Sequence, residues 1–410
     1  MTRPARRAGW LIRTAWPPLL WLLAAVVVLL RGLVVEVDGW LPVHLVLLGA
    51  VSNVVLVWTA HFTNAVLRRP SDDRPAQARR IVAFNVGALL VVAGAVLESV
   101  PLLSTGALVV VLAVAAHAIW LARALRSSLP ARFARTVRFY IAAASLLVLG
   151  IGAGVALEAG VGDDEIEPRL VVVHLTLNLL GWLALTVLGT LITLWPTMLR
   201  TPMGDAVEVA QLAALPWLVI AVIGSAAAAL ADLRIIAALV LVGFLAVAAR
   251  LTSPFVSQLR AKPPREVATW SVLAGVLWFV LGTAGLAVVE LVGPDWEAVD
   301  DRLGRHVLPC LIVGFAVQVV VGALCYLVPV MLGGGPAAVR ASIQQVAALG
   351  RSRVALLNLG VLVVVLAPGA GRTLGLLVAG VAVVADVAVL ALTAVRASRR
   401  TASPGAAAIP

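Results

Sequence analysis

Long apolar runs alternate with short polar segments along the whole chain. A run of 18 or more apolar residues is long enough to cross a bilayer as a helix. Twelve such helices are predicted, at about 16–36, 42–67, 81–99, 102–123, 138–159, 169–199, 208–231, 234–255, 267–293, 304–332, 353–370 and 373–396. The connections inside 81–123 and 353–396 are the shortest. The pattern predicts an all-α polytopic membrane protein forming a single integral domain. A disordered cytoplasmic tail is expected over 397–410.

Composition agrees. Of 410 residues, 62% are hydrophobic and 12% charged, and mean hydropathy is +1.07. A soluble domain carries nearer a quarter charged residues, so the lipid bilayer is the expected partner. The net charge of +11 does not point to nucleic acid, because its placement matters more than its size. Twenty-five of the 31 basic residues lie before span 1, after span 12, or in alternate connections. The opposite side has Arg31, Arg169, Arg234, Arg302, Arg305 and Arg372, with the acidic runs "GDDEIE" (162–167) and "PDWEAVDD" (294–301). The positive-inside rule therefore predicts both termini in the cytoplasm of a multi-pass cell (plasma) membrane protein. The first apolar run is too long for a cleavable signal peptide. Cys310 and Cys325, the only cysteines, are 15 residues apart in one run, roughly 22 Å along a helix, so they cannot bridge each other.

An internal repeat is present. Gly181, Gly189, Pro196 and Met198 match Gly314, Gly322, Pro329 and Met331 at an offset of 133. Glu158 and His174 match Glu290 and His306 at 132. Span 2 matches more weakly, through His44 and Gly49. Three pseudo-repeats of four helices are expected, at about 15–125, 138–255 and 266–396.

Three of the five histidines, His44, His174 and His306, open spans 2, 6 and 10 at the outer side. Imidazole is a common ligand of haem iron and copper, and an ionisable group inside a membrane is costly and a functional candidate. The alternative is interfacial histidine bonded to headgroups or loop backbone. His61 and His117 lie at the inner ends of spans 2 and 4 and form a possible inner site. Glu158 and Glu290 are candidates to orient the histidines as outer-shell acceptors. Glu98 ends span 3 in the same way. Asp386, in the middle of span 12, either relays protons or hydrogen-bonds across helices. Asn53, Asn178 and Gln318 are expected to hold the bundle together.

The stretches "VHLVLLGAVSNVVLVWTAHFTNAVLRR", "HLTLNLLGWLALTVLGTLITLWPTMLR" and "RHVLPCLIVGFAVQVVVGALCYLVPVMLGG" resemble subunit I of the haem–copper oxidases and the related nitric-oxide-response haem and copper membrane proteins. They are most similar to the membrane domain preceding cupredoxin modules in actinobacterial multicopper oxidases and copper nitrite reductases. The resemblance covers about a quarter of the chain. It implies a low-spin haem b with His44 and His306 as axial ligands, and His174 in the place of a copper ligand. Arg31, Arg169 and Arg305 are placed to pair with propionates, and Trp40 to pack at the rim. Span 7 has no histidine, and Gly304 and Leu308 flank His306 where a second histidine would be needed. Asn178 stands where many oxidases carry a tyrosine. Oxygen reduction at a binuclear centre is therefore not expected.

The function expected is electron transfer through haem b, or through copper, between quinol and a separate periplasmic-side cupredoxin or multicopper protein. This makes the chain an electron-transfer module more than a catalytic subunit. The alternatives are a copper-binding or copper-sensing protein without haem, and a twelve-helix transporter.

Overall fold

The computed structural model describes residues 3–35, 39–69, 74–129, 133–162, 164–202 and 205–402. These residues are helical, with no strand among them. Each expected span falls on one helix. In chain order the helices are α1 (Arg3–Arg31), α2 (Trp40–Val66), α3 (Arg74–Val96), α4 (Val100–Arg126), α5 (Thr136–Glu158), α6 (Ile166–Leu199) and α7 (Asp205–Leu230). Then come α8 (Arg234–Ala261), α9 (Val267–Val292), α10 (Trp296–Leu332), α11 (Pro336–Val346), α12 (Gly350–Leu366) and α13 (Ala370–Ala402).

Among the described residues, ten helices are long and apolar enough to cross a membrane. An eleventh is counted if α11 and α12, bent by 42° at their junction, form one broken span. The apolar part of α1, Trp16–Arg31, falls short of the length needed. Ten or eleven of the twelve expected spans thus meet this test of length and composition. The tail expected to lack structure from 397 is helical as far as Ala402, and 403–410 lie outside the described residues.

The chain forms two compact units: Trp21–Pro263 with Val280–Leu308, and Met1–Leu20 with Pro264–Phe279 and Pro309–Pro410. In the first, the Trp21 indole donates to Asn85 Oδ1 (2.7 Å), and Gly49 sits where a Cβ would meet Trp21 at 2.5 Å. In the second, the Trp278 indole donates to Asn358 Oδ1 (2.6 Å), and Gly314 has the same relation to Trp278. Two residues after each asparagine is a glycine on a close helix contact. Gly87 packs on Gly106 and Val110, and Gly360 packs on Gly375 and Ala379. Small residues allow this approach, which dispersion rewards where no hydrophobic drive between helices exists. The first and last four-helix stretches therefore share a set of contacts that their sequences show only faintly. In the middle stretch Gly181 faces Leu146 instead of a tryptophan.

A second regularity concerns the helix backbone. Leu45–Val51 in α2, Thr176–Ala184 in α6, and Leu303–Val307 with Cys310–Val317 in α10 are π-helical. Among the described residues these segments occur only in the three helices that carry His44, His174 and His306. Wide turns of this kind are rare and concentrate at functional positions.

Candidate metal site at a histidine pair

His44 is the last residue before the wide turns of α2. Its Nδ1 lies 2.8 Å from the Trp40 carbonyl oxygen, and its ring stacks on the Trp40 indole at 4.0 Å between centroids, 19° from parallel. His174 stands two residues before the wide turns of α6. Its Nδ1 lies 2.9 Å from the carbonyl oxygen of Gly150 on α5. A carbonyl can only accept, so both Nδ1 atoms carry the proton, and the imidazole acceptor lone pair falls on Nε2 in each ring. Such a second-atom bond to a carbonyl is the usual support of a metal-binding imidazole. The 3.2 Å approach of Asn178 Nδ2 to His174 Nδ1 is then a contact of two donors. Asn178 Nδ2 instead donates to its own helix, to the His174 carbonyl at 2.8 Å.

The two rings lie close together. The centroids of His44 and His174 are 6.0 Å apart, with ring planes at 34°, and both side chains are half-buried. Two features of the sequence make the approach possible. Gly154 lies under the His174 ring, where a Cβ would come within 2.7 Å of Cε1. Gly150 lies under the Asn178 amide in the same way. The helices are also tied below the rings. The Trp182 indole, in the wide turns of α6, donates to Ser52 Oγ at 3.1 Å, and Ser52 Oγ donates to the Leu47 carbonyl, five residues back, at 2.8 Å. The Leu47 carbonyl thus accepts from both the main-chain N–H and the hydroxyl of Ser52.

The other expected site residues are placed as follows. The His306 side chain is exposed, and among the described residues no three His, Cys, Asp or Glu side chains are grouped to hold a metal ion. The three histidines therefore do not form one three-ligand site. Arg31 is exposed, Arg305 pairs with Asp301 at 3.4 Å, and Arg169 pairs with Glu165 and Asp232, each at 3.6 Å. Glu158 is exposed and Glu290 fully buried. The Nδ1 partners of His44 and His174 are main-chain carbonyls, the role the sequence suggests for those two glutamates.

At the other ends of α2 and α4, His117 is buried with Nε2 3.0 Å from Thr59 Oγ1. The Thr59 hydroxyl gives its proton to the Val55 carbonyl (2.7 Å), so it accepts from His117 Nε2–H. His117 also stacks on Trp120, over which Arg80 lies at 5.0 Å. His61 meets Trp58 edge-on at 5.3 Å.

Asp386 has a definite partner. Arg353 Nε donates to Asp386 Oδ1 at 2.6 Å, and both side chains are buried. The rest of the guanidinium bonds the carbonyls of Val346, at 2.8 Å, and Ala348. Arg353 is thus no loop cation, although its position in the sequence counts it among the inner basic residues. Asn53 bonds Asn85 as a helix-joining amide should, whereas the buried Gln318 amide has no hydrogen-bond partner among the described residues. Both cysteines are buried and unbridged.

The sequence does not single out Gly150, Gly154, Ser52 or Trp182. The run "GIGAG" at 150–154 was the available signal, since glycine at alternate positions inside an apolar helix marks a place where something approaches the backbone closely.

Comparison with known proteins finds no family model that matches the chain and no curated protein that matches it.

Proposed function

We propose that this multi-pass membrane protein is a metal-centred electron-transfer protein, in which His44 and His174 would hold one haem b. The observation that carries this is the close pair of imidazoles, each with Nδ1 held by a carbonyl. Two imidazole rings must lie close together to share one metal ion, and these ring centres are 6.0 Å apart. A bound haem would supply a reversible one-electron couple. The chain's own contribution is to hold both rings in one tautomer, fix the tilt of His44 through Trp40, and hold α2 to α6 through Trp182 and Ser52. His306 is assigned no ligand role, because its side chain is exposed.

The surrounding architecture is twelve spans in three repeats, with both termini in the cytoplasm. The paired Trp–Gly–Asn contacts of the first and last four-helix stretches support the repeat, and the distribution of arginine supports the orientation. That orientation puts the histidine pair at the outer side. Quinol is then the electron donor, and a separate copper protein on the periplasmic side the acceptor. A second reading is a bare copper ion held by the same two rings, whose centroids are 6.0 Å apart. Two imidazoles alone suit the soft, low-coordinate cuprous state.

The test is the visible spectrum of the purified protein. A reduced-minus-oxidised haem b band is expected, lost in His44→Ala and His174→Ala and kept in His306→Ala. Loss in His306→Ala with retention in His174→Ala would return the axial role to His306. Colourless protein that binds copper through His44 and His174 would select the second reading.

A further inference from the structure

Glu290 is the buried acid that the histidine site does not use. It lies two residues before the end of α9. Its side chain is 0% exposed, and neither carboxyl oxygen has a hydrogen-bond partner among the described residues. A cation stands nearby but is engaged elsewhere. Arg234, at the start of α8, donates to the main-chain carbonyl of Glu290 itself at 3.0 Å and to that of Pro294 at 3.3 Å. Asp232, in the turn before α8, accepts from the Trp296 indole at 2.6 Å and pairs with Arg169. The start of α10 closes this end of α9, with Val299 packed where a Cβ on Gly293 would lie, at 2.7 Å. Of the charged groups there, Glu297, Asp301 and Arg305 are exposed, and Asp300 and Arg302 half-buried.

Glu158 is the last residue of α5 and Glu98 follows α3, yet both are exposed. Burial at Glu290 is therefore not a consequence of ending a span with glutamate. An ionised carboxylate shut away from water without a partner is far more costly than the neutral acid. We infer that Glu290 is a proton-binding site, a neutral carboxylic acid held inside the bundle at the α8–α9–α10 end and open to proton exchange when the local packing parts. Arg234 acts as a positioning residue. By bonding the carbonyls on either side of the α9 terminus, it fixes the helix end and keeps the guanidinium off the carboxyl.

Dicyclohexylcarbodiimide tests this on the full-length protein in membranes. The reagent partitions into apolar surroundings and needs a protonated acid. The carboxyl oxygen adds to its central carbon while the proton passes to nitrogen, and no group leaves. Mass spectrometry of peptides from the wild-type protein should place the adduct on Glu290 in preference to Glu158 and Glu98. A water-soluble carbodiimide with an added amine should show the reverse order. The infrared band of a protonated carboxyl should be present in wild type and lost in Glu290→Gln. Absence of a Glu290 adduct, or labelling no greater than at Glu158, overturns the proposal, whether or not Glu290→Gln folds.

Discussion

His174 on α6 gives its Nδ1 proton to the carbonyl of Gly150 on α5, 2.9 Å away, and Gly154, one turn further along α5, leaves the space the imidazole fills. One helix thus supplies both the hydrogen bond that sets the tautomer and the gap that admits the ring. A Cβ at 154 would lie 2.7 Å from the ring, too near for the ring to stay. Gly154→Val should weaken haem or copper loading by roughly ten- to a hundredfold, the range found when the support of a metal ligand is disturbed. Helix content should be unchanged. A titration followed by absorbance, beside far-ultraviolet circular dichroism, checks this, and unaltered loading would remove His174 from the site.

The Arg353–Asp386 pair gives a different expectation. Both groups are buried and bonded at 2.6 Å, and the guanidinium also caps carbonyls on either side of the break between α11 and α12. Removing one partner leaves an uncompensated buried charge, at a cost of about 3–5 kcal/mol. Arg353→Met or Asp386→Leu alone should lower the thermal midpoint in detergent sharply. The double variant should recover much of the loss, because replacing both charges by apolar groups is often near neutral. A double variant as unstable as the singles would mean that the bonds to Val346 and Ala348, not the ion pair, hold this region.

The two tryptophan–asparagine pairs should respond alike. Trp21→Phe and Trp278→Phe each remove one indole donor from an asparagine oxygen, at about 1 kcal/mol apiece, and Asn85 Oδ1 keeps its second donor, Asn53 Nδ2. Comparable shifts in the thermal midpoint are expected, adding in the double variant because the substituted positions share no partners. Strongly unequal shifts would show that the matching contacts do not reflect matching packing.

Orientation is open to a direct check. A green fluorescent reporter, which folds in the cytoplasm, should fluoresce when fused after Arg126 or Arg399. Alkaline phosphatase, which needs an oxidising compartment, should be active only when fused after Gly160. The inverse pattern would reverse the orientation read from the arginines.

Some of the site was legible before the fold. His44, His174 and His306 stand out because five histidines in 410 residues are few and these three open apolar runs in the same way, but the resemblance pairs His44 with His306 and not with His174. The counter-ion of Asp386 was not legible, because Arg353 lies 33 residues away behind a helix break and looks like a loop cation. Glu158 and Glu290 look alike in sequence, yet one is exposed and the other sealed. The glycines that admit the His174 ring sit on a neighbouring helix, and a pattern read along one helix cannot show them.

The sequence by itself determined that this is a bundle of apolar helices and where the apolar part of each span runs, whereas the starts of α1, α3 and α10 and the whole of α11 lie outside the expected spans. Lipid offers no hydrogen bonds, so each span must satisfy its own backbone, and the information for that lies within a single stretch of about twenty residues. The tertiary structure alone decided which ring meets His44, which acid finds a cation and which is left without one. Those outcomes depend on the rotation and depth of each helix relative to its neighbours, and one wide turn of the backbone is enough to swing a side chain to another partner.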